Sequence, residues 1–193
     1  MNLMIMLCLV MLSSCSISGS LVPVTYDKSI KVTSSKTATV ELISGITGGS
    51  SGTTLMPVGM SIYVPVSAGP YPKFQFHKED QKIFISSLVS ELNRLGLLKV
   101  IEPNGSTGEP DVKILVFFSQ THHFPDTQEY TLDVAMEMRR GESSFGNSYH
   151  ILSSEGDSYW QKMNTTATEG KAKAAKKLMN AMISDIEKWV AAN

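Results

Sequence analysis

Between Glu129 and Arg140 the chain alternates. Tyr130, Leu132, Val134, Met136 and Met138 fall on one side of an extended strand, and Glu129, Thr131, Asp133, Glu137 and Arg139 on the other. Side chains of a strand point to opposite faces at each step. The alternation therefore predicts a sheet with one buried and one wet face, the signature of antiparallel pairing. "DVKILVFFSQ", residues 111–120, reads as a second long strand, and β-branched "TATVELISGI", residues 37–46, as a third. "LLKVIE" gives a short one. "SIYVPV" is a strand that Pro65 confines to an edge. "SAGPYPKFQF" is an extended, proline-punctuated stretch. "PNGSTGEP" and "GESSFGN" read as turns, and "SYHILSSEGDSYWQKM" as a returning strand or bent pair.

A sheet with one apolar face needs a cover. Ile83, Phe84, Leu88, Val89, Leu92 and Leu95 recur at steps of three and four and predict a helix over residues 78–95. Glu79 and Asp80 at its start and Arg94 at its end suit the helix macrodipole, and Gly96 is a natural stop. A second helix is predicted over residues 167–190, with Thr166 and Glu169 at capping-box spacing. Ala175, Leu178, Met179, Met182, Ile183, Ile186, Trp189 and Val190 form its apolar face. The expected fold is α+β: a two-layer sandwich of a mainly antiparallel sheet with both amphipathic helices on one face.

The start of the chain is of another kind. Residues 3–12, "LMIMLCLVML", are continuously apolar. That is too short to cross a bilayer, which takes about 20 residues. It matches the apolar region of a secretory signal, about 7–15 residues long. No second apolar run approaches membrane-spanning length.

Leu12-Ser13-Ser14-Cys15 resembles the lipobox of a bacterial lipoprotein signal at all four positions. Cys8 follows bulky Met6 and Leu7 and does not. The resemblance implies cleavage between Ser14 and Cys15, diacylglycerol on the Cys15 sulfur, and a fatty acid such as palmitate on the new amino group. Three acyl chains exceed what stable anchoring requires. Ser16, rather than Asp, follows the cysteine, which in Gram-negative cells implies the outer membrane. The chain has only two cysteines, so the mature protein would keep no free thiol and form no disulfide. Its core alone would hold the fold. The expected organisation is a signal over residues 1–14, a lipidated end and flexible tether over 15–36, and one periplasmic domain over 37–193.

The order strand, helix, strands, helix also resembles small envelope lipoproteins. These include YajG-like lipoproteins, the TolB N-terminal domain and the curli-secretion lipoprotein, with LptE comparable in its succession of elements. The residues carrying the likeness are "ELNRLGLLKV" leading into a strand and "EYTLDVAMEM" as a central strand. It implies a non-enzymatic part in envelope assembly, secretion or structure. A rival of the LptE kind would handle lipid or glycan in a cavity between the layers.

Chemistry-bearing motifs are few. Gly48-Gly49-Ser50-Ser51-Gly52 matches G-x-S-x-G, but a nucleophile elbow needs a helix after the serine. "TTLMPVGMSIYVPV" comes next instead, rich in β-branched residues and proline. His122, His123 and Asp126 gather in "THHFPDTQ". Adjacent residues of a strand face opposite ways, so the two histidines do not converge on one metal. His77 and His150 stand apart in sequence. The expectation is no catalytic set, no metal and no cofactor.

A net charge of −1 carries no basic excess of the kind nucleic-acid binding needs. The expected partners are the membrane, through Cys15, and an envelope protein or a second copy. Two surfaces are candidates for protein contact: the aromatics Tyr71, Phe74 and Phe76 between prolines, and Lys173, Lys176 and Lys177 opposite the apolar face of the last helix.

Overall fold

The computed structural model describes residues 21–43, 53–58, 62–67, 76, 78–102, 109–124 and 129–193. Its elements are β1 (Thr37–Leu42), β2 (Thr53–Val58), β3 (Ile62–Ser67), α1 (Lys78–Leu95), β4 (Lys99–Val100), β5 (Val112–Phe124), β6 (Glu129–Arg140), β7 (Ser143–Leu152), α2 (Tyr159–Asn164) and α3 (Ala167–Ala192). The fold is α+β. Five strands pair in the order β4-β1-β5-β6-β7, and β2 and β3 form a separate antiparallel hairpin.

The β5–β6–β7 half is the expected antiparallel meander. The other half differs: β1 lies between β4 and β5 and runs parallel to both. The chain leaves β1, passes through the hairpin and α1, and comes back in the same direction. β1 accordingly buries three successive residues, Ala38, Thr39 and Val40, rather than every second one.

The core lies between the sheet and the two long helices. Val112, Ile114, Val116 and Phe118 of β5 and the even positions Tyr130 to Met138 of β6 meet Phe84, Leu88 and Leu92 of α1 and the whole predicted apolar face of α3. Helix α1 lies over β1 and β4, and α3 over β6 and β7. Helix α1 stops where expected, and the reason is visible. Gly96 takes φ 67°, its N–H donates to the Asn93 carbonyl at 3.1 Å, and the Leu97 N–H donates to Leu92 at 3.1 Å. This is a Schellman cap, whose left-handed position suits glycine.

Four expectations are corrected. Thr131 and Glu137, assigned to the wet face of β6, are buried; the β2–β3 hairpin lies against β6. The segment "GESSFGN" is not one long turn, because only Gly141 and Glu142 separate β6 from β7. The returning strand ends at Leu152, and Tyr159–Asn164 is helical. Ser158 caps that helix, its hydroxyl accepting from the Gln161 N–H while the Gln161 side chain accepts from the Ser158 N–H. Last, the tether expected up to residue 36 is packed from Leu21 onward: Leu21, Val24 and Tyr26 are buried in the core cluster.

Candidate functional site

Residues 21–34 form a strap in the angle between α1 and α3, and it joins the folded domain to the segment that carries Cys15. On the α1 side three side chains accept its backbone. The Leu21 N–H donates to Asp80 Oδ1 at 2.8 Å, the Val24 N–H to Ser87 Oγ at 3.1 Å, and the Tyr26 N–H to Glu91 Oε2 at 3.1 Å. Helix positions 80, 87 and 91 share one face because their separations are close to whole turns. Residues 21–34 pair with no strand among the described residues, so the helix side chains take the place of a ladder.

On the α3 side Lys171 Nζ meets Asp80 Oδ2 at 2.9 Å, with both side chains buried. Lys176 pairs with Asp27. The Lys31 N–H donates to Glu187 Oε1 at 2.7 Å. The Ser34 N–H closes the strap on the Gly96 carbonyl at 2.8 Å. Contacts progress from Asp80 to Glu91 on α1 and from Lys176 to Glu187 on α3 as the strap advances, so it runs parallel to both helices. Leu21 therefore enters at their N-terminal ends.

Glu91 also holds Arg94 in a two-toothed grip at 2.6 to 3.2 Å, and Arg94 reaches the Tyr26 carbonyl at 3.1 Å. The Arg94 hydrogen bond, opposed by burial and aided by the Tyr26 N–H, keeps the Glu91 carboxyl below the usual glutamate range. A carboxylate with a depressed folded-state pKa contributes stability that is complete above its unfolded pKa. That stability is lost as pH falls through the folded value. Glu91→Ala should cost about 1–3 kcal/mol and speed amide exchange at Tyr26. Glu91→Gln should flatten the acid limb of stability against pH. Urea melts from about pH 7 down to about pH 3 check both.

The two surfaces expected to contact partners fare differently. Phe76 is 1% exposed and stacks on Phe118 with ring centres 5.5 Å apart. Its N–H donates to Thr121 Oγ1 at 2.9 Å. It is a core residue, not a surface anchor. Tyr71 and Phe74 lie outside the described residues. The three lysines are engaged within the domain. Lys173 pairs with Asp157 at 2.8 Å, Lys176 with Asp27, and Lys177 donates to the Leu152 and Glu155 carbonyls at 2.9 and 2.7 Å. Lys177 thereby closes the turn between β7 and α2.

Cys15, Ser14, Ser50, His77 and Asp126 lie outside the described residues. Downstream of Ser50 the chain enters strand β2, not the helix of a nucleophile elbow. His122 and His123 occupy β5 opposite Thr131 and Tyr130. His150 pairs with Asp133 across β6 and β7 at 2.6 Å. No group of three or more His, Cys, Asp and Glu among the described residues is placed to hold a metal. An open depression of about 430 Å³ lies between α2 and the start of α3, lined by Gln161, Asn164, Thr165, Glu169, Lys173 and Lys176. It lies outside the sheet–helix core. Burial, then the Asp185 charge and hydrogen bond at 3.0 Å, push the Tyr149 phenol far above its usual range. That contact fixes β7 to α3.

No protein-family model matches this chain, and no curated protein matches it. Among solved structures it is similar to protein XCC0632 from Xanthomonas campestris, described under the family DUF330, with 7% identity over 90% of this chain and 97% of that one, at a TM-score of 0.46. It is also similar to a protein described only as uncharacterized, with 11% identity over 85% and 99% of the two chains and a TM-score of 0.40. Likenesses this distant transfer no residue role and no function to this chain.

Proposed function

We propose that this chain is a lipid-anchored envelope lipoprotein that works without catalysis, as an assembly, secretion or structural accessory through protein–protein contacts. The observation that carries the anchored reading is the strap. Leu21 is already tied to Asp80, and Cys15 of the lipobox stands only a few residues before it. A chain so short gives a reach of roughly 20 Å. The acyl group on Cys15 would therefore hold the domain close to the lipid surface. A domain kept there meets its partners at or close to the membrane surface. Outer-membrane placement with the domain in the periplasm is the compartment this reading takes, from Cys15 and Ser16.

Cys15→Ala is expected to abolish incorporation of labelled palmitate and to leave unprocessed or soluble protein, with the domain still folded. Fractionation of cells expressing the two forms, followed by capture of the anchored form and mass spectrometry of what comes with it, checks both halves. A Cys15→Ala protein that is cleaved and still partitions with membranes would sink the anchor reading. Capture of no envelope protein at all would sink the accessory role.

A further inference from the structure

The described surface carries four large exposed hydrophobic residues: Val22, Ile43, Tyr159 and Trp160. Three of them lie toward the end of the domain where α3 begins. Val22 follows Leu21, where the strap enters beside Asp80 and Lys171. Lys171 stands about 6 Å along the axis from Ala167, the first residue of α3. Tyr159 and Trp160 open α2, which immediately precedes α3. Lys173 fixes α2 in place, reaching Asp157 on one side of it at 2.8 Å and Thr165 on the other at 3.5 Å.

The two rings are edge to face, 5.6 Å apart, at residues 68% and 73% exposed. Val22 is 62% exposed. A soluble surface gains nothing from holding two aromatics and a valine in water, and the other tryptophan, Trp189, is buried. Tryptophan and tyrosine are the residues that favour the lipid headgroup layer, where an apolar ring meets a polar edge. The end that bears them is also the end from which the chain to Cys15 departs, within roughly 20 Å.

We propose that Val22, Tyr159 and Trp160 form a second, non-covalent membrane contact that seats in the headgroup layer and fixes which face of the domain looks away from the bilayer. This rests on Cys15 being the lipid anchor. It adds an orientation that a lipid on a free leash would not give. The strap, held to both long helices, transmits that orientation to the whole domain.

The test uses the full-length, processed protein in vesicles of phosphatidylethanolamine and phosphatidylglycerol, some with brominated acyl chains. Flotation reads the anchor. Trp160 fluorescence reads the contact, with Trp160→Phe supplying the buried Trp189 baseline. The expected result is flotation, loss of iodide quenching of Trp160, a blue shift, and quenching by the brominated lipid. Tyr159→Ser/Trp160→Ser should float equally well and melt at the same temperature, while Val22→Cys carrying a polarity-sensitive dye reports a wetter surrounding in that double variant. Flotation with Trp160 still open to iodide overturns the proposal and leaves the anchor standing. Failure to float overturns both. Protection from iodide without bromine quenching, reversed on dilution into more lipid, overturns it in favour of contact between copies.

Discussion

Lys171→Met should destabilise the domain by about 3–5 kcal/mol, the range for removing one partner of a buried ion pair. In a chain of this size that lowers the melting temperature by roughly 6–20 °C. The methionine fills much of the lysine's volume, so lost packing is a small part of the effect. The larger part is the Asp80 carboxylate, which stays buried with its countercharge gone. Asp80 also accepts the Leu21 N–H, so the damage spreads to the strap. Amide exchange at Leu21 should rise in the variant well before global unfolding. Asp80→Leu/Lys171→Met should recover part of the loss, since no lone charge remains, but not all of it, because the Leu21 N–H then has lost its acceptor. Thermal melts of the two single variants and the double variant give the coupling between them. If Lys171→Met melts within a degree or two of the parent, the buried pair does not hold the strap and the two helices together.

Phe76→Ala is expected to lose about 3–5 kcal/mol, the usual penalty for emptying a buried phenylalanine site. Phe76 stacks on Phe118, and Phe118 in turn meets the edge of Phe84 at 5.8 Å. Removing the first ring opens a cavity against the other two and unsettles the start of α1, where Gln81 Nε2 holds the Phe76 carbonyl at 3.1 Å. A surface anchor would behave in the opposite way, weakening partner capture with an unchanged melt. Chemical denaturation of the purified variant separates the two: a fall in midpoint at constant slope is the cavity result.

The sequence showed the fold where one repeat dominates. The alternation from Tyr130 to Met138 and the three-and-four spacing from Ala175 to Val190 each leave a single burial pattern, and the core contains those residues. The parallel placement of β1 was not visible, because nothing in "TATVEL" says which strand it will join. The strap was missed for a different reason. "LVPVTYDKSIKV" has no helical period, and its structure is imposed by what it lies against. The signal was in α1 instead. Asp80, Ser87 and Glu91 form a polar row beside the apolar face at separations close to whole turns. Lys171 likewise continues the stripe of Ala175, Leu178 and Met182, and a lysine in that row called for a buried carboxylate. Of the candidate sites, the lysines and Phe76 looked free only because their partners are far along the chain, as with Lys176 and Asp27. The Ser158–Gln161 cap of α2 is local and legible, in a stretch whose alternation also suits a strand.

The strap also decides how the domain resists being pulled. Its polar contacts are strung along the long axes of α1 and α3, from Leu21 at one end to Ser34 at the other. A tug along that axis, drawing the domain straight off the end where Leu21 enters, stretches the strap lengthwise. Its contacts to Asp80, Ser87, Glu91 and Glu187 then bear the load together, in shear. A tug from the side falls on the Leu21–Asp80 contact alone, then on Val24–Ser87, and opens the seam one tooth at a time. The same few hydrogen bonds are thus a firm mooring in one direction and a zip in the other.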